Sequence, residues 1–363
     1  MERMKTGRAW AGFGVLALIT AAELCVHGQP APAVAPETAS QQLVILDTDI
    51  GDDIDDAFAL ALLLHSPEMK LLGVTTTFGA TELRARLVER FLDAVGRGEI
   101  PVAAGSTTPA NNVFTQAAYA KQEANRPVDR CIMRLLSVSQ LPVPKRERDQ
   151  FDLCEKDVHD APGFILRNAR EHPGEITLIC IGPLFNVQAA IARDPATFRK
   201  LRRVVMMGGS VYRGYDGDKP GETNRPPSAE WNIRCDPAGA RTLLASGVPV
   251  FMMPLDSTQI RLTQQELAAI FSHGSPLTDQ LTLLYHQWTG GDAWRMPTLF
   301  DPVAASYAIR PELCPTRPMR LEVDDQGFTK PGPGEPNTQV CLKADEEEFR
   351  AFLLGRILSD SAK

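Results

Sequence analysis

The stretch over residues 43–79 constrains the fold more than any other part of this chain. It begins with an apolar run, residues 43–46, which is typical of a strand buried on both faces. Residues 57–65 form an apolar segment without Gly or Pro, which predicts a helix. A second apolar run over residues 71–76 predicts another strand. The stretch therefore predicts a βαβ unit.

Six aspartates lie between the first predicted strand and the helix: Asp47, Asp49, Asp52, Asp53, Asp55 and Asp56. Carboxylates crowded at the carboxyl end of a buried strand repel one another unless a cation or water compensates them. The dipole of a helix N-terminus would account for Asp55 and Asp56, but not for Asp47 and Asp49. Oxygen ligands with no His or Cys among them favour a hard cation, so the stretch predicts a Ca²⁺ site at this edge of the sheet.

The chain is predicted to consist of an export signal, a tether and one domain. Residues 1–28 combine basic residues with a short apolar segment, which indicates a signal peptide and export to the periplasm or the medium, without a stable membrane anchor. Residues 29–40 are rich in Pro and Ala and predict a disordered tether before the domain at 41–363. Residues 106–156 are polar and irregular, and we interpret them as an insertion over the site. The net charge of -7 and the lack of basic clusters argue against a nucleic-acid partner.

Export allows the cysteines to be interpreted. Cys131 and Cys154 flank one polar segment and Cys314 and Cys341 flank another, and we hypothesise a disulfide across each. Cys180 lies in an apolar strand and is expected to be a buried thiol. No pair has the CxxC spacing of a zinc or redox site.

Further motifs follow in order along the chain. They are Gly182-Pro183-Leu184-Phe185-Asn186, Met207-Gly208-Gly209, Asn224 followed by Glu230-Trp231-Asn232, and Phe300-Asp301 at the start of a predicted helix. Together with DTDIGDDIDDAFAL, this order resembles the nucleoside hydrolases of the inosine/uridine-preferring type, the Ca²⁺-dependent N-ribohydrolases. The resemblance covers residues 43–357 and implies an α/β fold with an open, mostly parallel sheet flanked by helices. This chain has two extra residues before its second aspartate pair, and the roles of Asp52 and Asp53 stay open.

The resemblance also implies a role for each matching residue. Ca²⁺ would be held by Asp49, Asp56, Asp301 and the carbonyl oxygen of Ile181. Asp49 would take a proton from the attacking water as general base. The sugar would be bound, and an oxocarbenium-like transition state stabilised, by Asp55, Asn224, Glu230 and Asn232. Met207 would line the ribose pocket, and Asp47 would orient its neighbours.

Phe300 is the departure that bears on the base. Pyrimidine-preferring and broadly acting members of the family carry His directly before this Asp, whereas purine-preferring members carry an aromatic residue that stacks on the base. Phe300 resembles the second arrangement, so the resemblance implies hydrolysis of purine ribonucleosides to ribose and free base. Trp288 and Trp294 could add stacking or could simply pack, and Ala80 lacks the polar group that commonly faces the substrate.

Two other classes of protein share part of this pattern. The DxD motif is also similar to that of the haloacid-dehalogenase phosphatases, but Gly51 occupies the position where they require Thr or Val. An exported riboside-binding protein, or an N-ribosyl hydrolase with an altered substrate, stays open as the alternative. In either case the expected partner is a small nucleoside, and the expected assembly is a homo-oligomer, either a dimer or a tetramer.

Overall fold

The computed structural model describes residues 41–109, 114–121, 159–217, 222–223, 225–292 and 295–359. Residues 40–363 form one compact unit. Several predictions lie outside the described residues: the signal peptide at 1–28, the tether at 29–40, Cys131, Cys154, Asn224, Trp294 and most of the insertion. In the part of the chain that is described, no helix is long and apolar enough to span a membrane.

The centre of the fold is an eight-stranded sheet. The described residues form ten strands, eight of them in this sheet and two in a smaller one: β1 (Gln42–Thr48), β2 (Met69–Thr76), β3 (Val102–Ala104), β4 (Thr177–Cys180), β5 (Arg203–Met207), β6 (Val250–Met253), β7 (Thr316–Met319), β8 (Leu321–Val323), β9 (Thr329–Pro331) and β10 (Thr338–Cys341). The sheet has the order β3-β2-β1-β4-β5-β6-β10-β7, and β8 and β9 form a separate antiparallel pair. All neighbours in the sheet run parallel except β10 and β7. The strand order reverses between β1 and β4, and ligand sites of open α/β sheets lie at such a reversal.

Helices cover both faces of the sheet. They are α1 (Asp55–Leu64), α2 (Thr81–Ala94), α3 (Ala117–Lys121), α4 (Ala161–Glu171), α5 (Phe185–Arg193), α6 (Pro195–Phe198), α7 (Trp231–Cys235), α8 (Pro237–Leu244), α9 (Leu255–Thr258), α10 (Gln264–His273), α11 (Pro276–Thr289), α12 (Phe300–Ile309) and α13 (Glu346–Ile357), with a 3₁₀ turn at Pro311–Leu313. The mostly parallel sheet and its flanking helices confirm the predicted fold class.

The central strand shows how the two faces are filled. Side chains of a strand alternate between the faces of the sheet. Val44 and Leu46 belong to the core formed with α1, α2 and α12, whereas Ile45 belongs to the core formed with α4, α5 and α8. All three side chains are fully buried, which confirms the prediction of a strand covered on both faces.

Two predictions about the last third of the chain have different outcomes. The sequence after Leu313 predicts a strand pair over residues 319–323 and 340–343. The first of these strands is wrong as a single element, because Met319 pairs with Thr338 in the large sheet while Leu321 pairs with Pro331 in the small one. The predicted disulfide between Cys314 and Cys341 is confirmed. The prediction for Cys180 is also confirmed, since it is a buried free thiol.

Candidate active site

A cavity of about 340 Å³ opens at the carboxyl ends of the central strands. Its walls combine aspartates from the loop between β1 and α1, the start of α12, residues at the ends of β4 and β5, and several aromatic side chains. The lining residues are Asp49, Asp52, Asp53, Asp55, Asp56, Ile181, Met207, Tyr215, Glu230, Trp231, Asn232, Trp288, Arg295, Phe300 and Asp301. Apart from Asn224, which lies outside the described residues, every residue predicted to bind substrate or metal lines this one cavity.

Three carboxylates from two helices converge in the cavity. Asp55 and Asp56 begin α1, and Asp301 lies in the first turn of α12. One carboxylate oxygen from each of the three lies within 4.8 Å of the others. Thr48 donates a hydrogen bond from Oγ1 to Asp56, and the backbone N–H of Asp301 lies 3.3 Å from Asp55 Oδ2. We call Asp55, Asp56 and Asp301 the acidic cluster.

Burial and mutual repulsion make the acidic cluster costly to charge. Removal from water raises the pKa of Asp55, Asp56 and Asp301 well above the usual value, and neighbouring carboxylates raise it further. Asp49 lies beside the cluster, and its burial raises its pKa to about 7, opposed by the positive charge of Arg84. A bound divalent cation would reverse this penalty, because it favours the ionised form of each carboxylate.

The donor set around the cluster fits a hard cation. Each candidate ligand is an oxygen atom, as Ca²⁺ requires. The carbonyl oxygen of Ile181 accepts a hydrogen bond from Asn232 Nδ2 at 3.1 Å, and a carbonyl has two lone pairs, so one is left for a further ligand. The predicted ligands Asp49, Asp56, Ile181 and Asp301 therefore share the cavity with Asp55, which the sequence had placed with the sugar.

Asp47 lies behind the cavity and does not line it. Its Oδ1 accepts hydrogen bonds from Thr75 Oγ1 at 2.6 Å and from Asn186 Nδ2 at 2.7 Å. Burial raises the pKa of Asp47 to about 6, while these two bonds lower it. The side chain thus links β1, β2 and the start of α5 directly beneath Asp49.

Glu230 is fixed by the backbone around it. It precedes the short helix α7 as its N-cap and accepts from the N–H groups of Asn232 at 2.9 Å and Ile233 at 3.1 Å. A third N–H, from Gly209 after β5, lies 3.0 Å away. A carboxylate has about four acceptor positions, so one position stays available toward the cavity. The Asn232 amide is also 3.6 Å from Met207 Sδ.

The aromatic side chains of Tyr215, Trp288 and Phe300 form another part of the cavity lining, which we call the aromatic wall. The rings of Tyr215 and Phe300 meet edge to face with centroids 6.0 Å apart. Tyr215 accepts a hydrogen bond at its hydroxyl from the backbone N–H of Trp231. The guanidinium of Arg295 lies 4.0 Å from the Trp288 ring centroid, and Trp288 itself is buried. Trp288 therefore both packs and faces the cavity.

Sequence reasoning did not assign a function to Tyr215, Trp231 or Arg295. Tyr215 and Arg295 lie in loops, where no periodicity indicates the direction of a side chain. Trp231 lies inside the Glu230–Asn232 motif, and its 36% exposure beside the cavity is the signal that the motif alone did not give. Their position depends on contacts between segments distant in sequence.

A comparison with known proteins identifies the family. The family model described as "Inosine-uridine preferring nucleoside hydrolase" matches residues 44–351. The chain belongs to this family. The family membership indicates an enzyme that hydrolyses ribonucleosides.

Curated relatives of this nucleoside hydrolase carry several substrate names. The chain is 30% identical over 323 residues to the non-specific ribonucleoside hydrolase RihC of Klebsiella pneumoniae, covering 85% of this chain and 96% of the relative. It is 28% identical over 292 residues to uridine nucleosidase 1 of Arabidopsis thaliana, covering 78% of this chain and 79% of the relative.

Solved structures agree with the fold. A plant nucleoside hydrolase superposes with a TM-score of 0.69 at 24% identity, covering 88% of this chain and 99% of that chain. A purine-preferring ribonucleoside hydrolase from Gardnerella vaginalis superposes with a TM-score of 0.63 at 24% identity, covering 87% and 98% of the two chains.

Proposed function

We propose that this nucleoside hydrolase cleaves the N-glycosidic bond of purine ribonucleosides, with Ca²⁺ held at the acidic cluster, and releases ribose and the free base. The observation that supports this most directly is the joint presence, in one cavity, of the cluster and the aromatic wall around Phe300. The residues that would hold the cation are Asp49, Asp55, Asp56, Asp301 and the carbonyl oxygen of Ile181. When bound, the cation would supply positive charge that polarises water and sugar hydroxyls.

Asp49 would act as the general base. It lines the cavity beside the acidic cluster, and its backbone is held by Arg84. A base is most effective when its pKa lies near the working pH, and the carboxylate must be ionised to accept a proton. The proton of the attacking water would move to an Asp49 carboxylate oxygen while the water oxygen forms its bond to the sugar carbon. The N-glycosidic bond to the same carbon would break, and its electron pair would leave with the base, which takes a proton from solvent.

Glu230 and Asn232 would bind the sugar. Glu230 retains an acceptor position toward the cavity after its three backbone bonds, and Asn232 is fixed by the carbonyl oxygen of Ile181. Sugar hydroxyls can donate to a carboxylate and to an amide oxygen, and the Asn232 Nδ2 already donates to the carbonyl oxygens of Ile181 and Met207, so this pair suits a diol. The negative charge of Glu230 would also stabilise the positive charge that develops on the sugar.

The aromatic wall would receive the base. Phe300, Tyr215 and Trp288 present ring surfaces to the cavity, and no His is among the described residues that line it. We propose that stacking on Phe300 favours protonation of the departing purine by solvent. Pyrimidines offer a smaller ring surface and would gain less from this wall.

A second candidate follows from the relatives, which are named as uridine nucleosidases or non-specific hydrolases. On this reading the wall would accept either class of base. The release of reducing sugar from inosine, adenosine, guanosine, uridine and cytidine, each with Ca²⁺ and with a chelator, separates the candidates. Chelator-sensitive release that favours purines supports our proposal, equal or greater release from uridine supports the second, and no release from any would reject both.

Phe300→Leu tests the role of the ring within the same assay. Stacking between a base and an aromatic ring is worth about 1–3 kcal/mol, so we expect kcat/KM for inosine to fall about tenfold. Phe328→Leu changes a Phe that does not line the cavity and serves as the matched control. An unchanged preference in Phe300→Leu would exclude the ring as the determinant of base choice.

We further propose that the protein is exported and forms a homo-oligomer. The disulfide between Cys314 and Cys341 supports an oxidising compartment. Thiol titration of the denatured mature protein, before and after reduction, would count the bridges, and finding none oxidised would contradict export. Light scattering coupled to gel filtration would measure the assembly, for which a monomeric mass would contradict the second part.

A further inference from the structure

The loop between β1 and α1 is held by hydrogen bonds that other segments donate to its backbone carbonyl oxygens. We use the name aspartate loop for residues 49–53. Arg84, in the first turn of α2, donates from Nη1 to the carbonyl oxygen of Asp49 and, at 2.9 Å, to that of Ile50. One buried side chain therefore bonds the first two carbonyls of the loop.

The next three carbonyls are bound by the first part of the predicted insertion. Thr115 Oγ1 lies 2.9 Å from the carbonyl oxygen of Asp52. Gln116 donates from its backbone N–H to the carbonyl of Gly51 at 3.0 Å, and from Nε2 to that of Asp53 at 2.7 Å. All five consecutive carbonyls of the aspartate loop thus have a donor from α2 or from the insertion.

The buried guanidinium of Arg84 is paired and hydrogen-bonded by the residues around it. It is 1% exposed, and its Nη2 forms an ion pair with Asp52 Oδ2 at 2.8 Å. Its Nε donates to the carbonyl oxygen of Phe78 at 2.8 Å, and its guanidinium lies 5.2 Å from the ring centroid of Phe114. Burying a charged group is costly unless it is paired and hydrogen-bonded, and here the bonds run to the loop and to the turn after β2.

We propose that Arg84, Thr115 and Gln116 form a carbonyl clamp that positions Asp49 for the reaction. This inference rests on the proposed function, in which Asp49 is the base. None of the three clamp residues lines the cavity, so they act through the loop and are positioning residues. An unrestrained loop has many backbone conformations, and the clamp restricts them by fixing the backbone on both sides of Gly51.

The clamp can be tested by removing its donors one at a time. Arg84→Met removes the guanidinium, Thr115→Val removes the hydroxyl at nearly constant shape, and Arg84→Lys keeps the charge with fewer donors. Tyr119→Phe is the matched control, because it lies in the same segment and its hydroxyl bonds Gln280 at 2.6 Å and not the loop. Steady-state kinetics with the best nucleoside would be combined with hydrogen–deuterium exchange of residues 49–56.

We expect loss of position to lower kcat more than it raises KM. A displacement of about 1 Å can cost about 100-fold in rate, so Arg84→Met should lose up to about 100-fold in kcat and Thr115→Val about fivefold. Arg84→Lys should recover part of the loss, and Tyr119→Phe should keep the wild-type kcat. Amide exchange over residues 49–56 should be faster in Arg84→Met and Thr115→Val, intermediate in Arg84→Lys and unchanged in Tyr119→Phe.

Several outcomes would overturn the clamp. The first is a wild-type kcat in folded Thr115→Val and Arg84→Met. The second is unchanged amide exchange over residues 49–56 in these two variants. The third is a loss of kcat in Tyr119→Phe as large as theirs. If Arg84→Met does not fold, Thr115→Val and Gln116→Leu decide the question. If the wild-type protein hydrolyses no nucleoside, the proposed function fails separately, and the exchange experiment still shows whether these residues hold the loop.

Discussion

The acidic cluster and Glu230 are two acidic regions of one cavity, and they balance their charge in different ways. Three N–H groups of the backbone point at Glu230 and satisfy its oxygens. The cluster of Asp55, Asp56 and Asp301 instead has carboxylates facing carboxylates, with one backbone donor and one hydroxyl among the bonds that hold it. Backbone donors hold the first region, whereas the second is where we propose that a cation binds.

This difference has a cause in the local chain. Glu230 lies at the N-cap of α7, where a helix presents unpaired N–H groups. Asp55, Asp56 and Asp301 also lie at the starts of helices. Because two helix N-termini meet here, three carboxylates face one another, and they share one backbone N–H and one hydroxyl among the hydrogen bonds that hold them. Backbone geometry can fix one carboxylate, but it does not neutralise three.

The largest effect should come from Asp49→Asn, which changes the proposed general base beside the acidic cluster. The variant keeps the size of the side chain but cannot take a proton, and a general base contributes about 10²–10⁴-fold to a rate. We expect kcat/KM for the best nucleoside to fall by that factor. Glu230→Gln should cost less, and the reverse order would break the distinction between the two regions.

The stability of the metal-free protein should decrease as pH rises. The pKa of Asp49 is about 7 when folded and 3.8 when unfolded, so the folded state holds the proton more tightly. The associated stability is present below about pH 4 and is lost as pH rises to about 7, on the order of 4 kcal/mol for this group. Chemical unfolding with a chelator across this range measures it, and Asp49→Asn should flatten the slope.

Calcium should stabilise the wild type and Glu230→Gln, but not Asp301→Asn. A ligand at 100 times its dissociation constant stabilises a folded protein by about 2.7 kcal/mol. Thermal unfolding with and without Ca²⁺ in the three proteins measures this difference. A full calcium response in Asp301→Asn would show that the cation binds elsewhere.

The smallest effect should be the loss of stability in Glu230→Gln. The substitution places an amide NH₂ against backbone N–H groups that now face an oxygen, and an unsatisfied buried group costs about 1–3 kcal/mol. Urea unfolding at saturating Ca²⁺ measures it. Glu312→Gln, which changes an exposed ion pair with Arg310, is the control and should differ from wild type by less than about 1 kcal/mol. Equal losses of stability in the two variants would contradict the stabilising role of the three backbone N–H groups that bond Glu230.

The same contrast explains what the sequence could predict. Asp49, Asp55 and Asp56 follow a buried strand, so local pattern was enough to place them at the carboxyl edge of the sheet, whereas Asp301 was assigned to the same site only through the family resemblance. The βαβ unit and the disulfide between Cys314 and Cys341 also follow from local signals. The family resemblance supplied the order of the motifs, which no single motif carries.

Contacts between distant segments were beyond the sequence. Arg84 lies next to the buried face of α2, and only its burial reveals that it reaches the loop after β1. Thr115 and Gln116 lie in a stretch without periodicity, so nothing in the pattern assigns them to Gly51–Asp53. The predicted strand over residues 319–323 failed for the same reason, since its two halves choose partners in different sheets.

The disulfide has a mechanical consequence. Cys314 follows α12 and the short 3₁₀ turn, and Cys341 ends β10. The segment that follows the helix carrying Asp301 is therefore joined covalently to the end of β10 in the sheet. The bridge limits how far the segment after α12 and the end of β10 can separate, even when the chain between them unfolds.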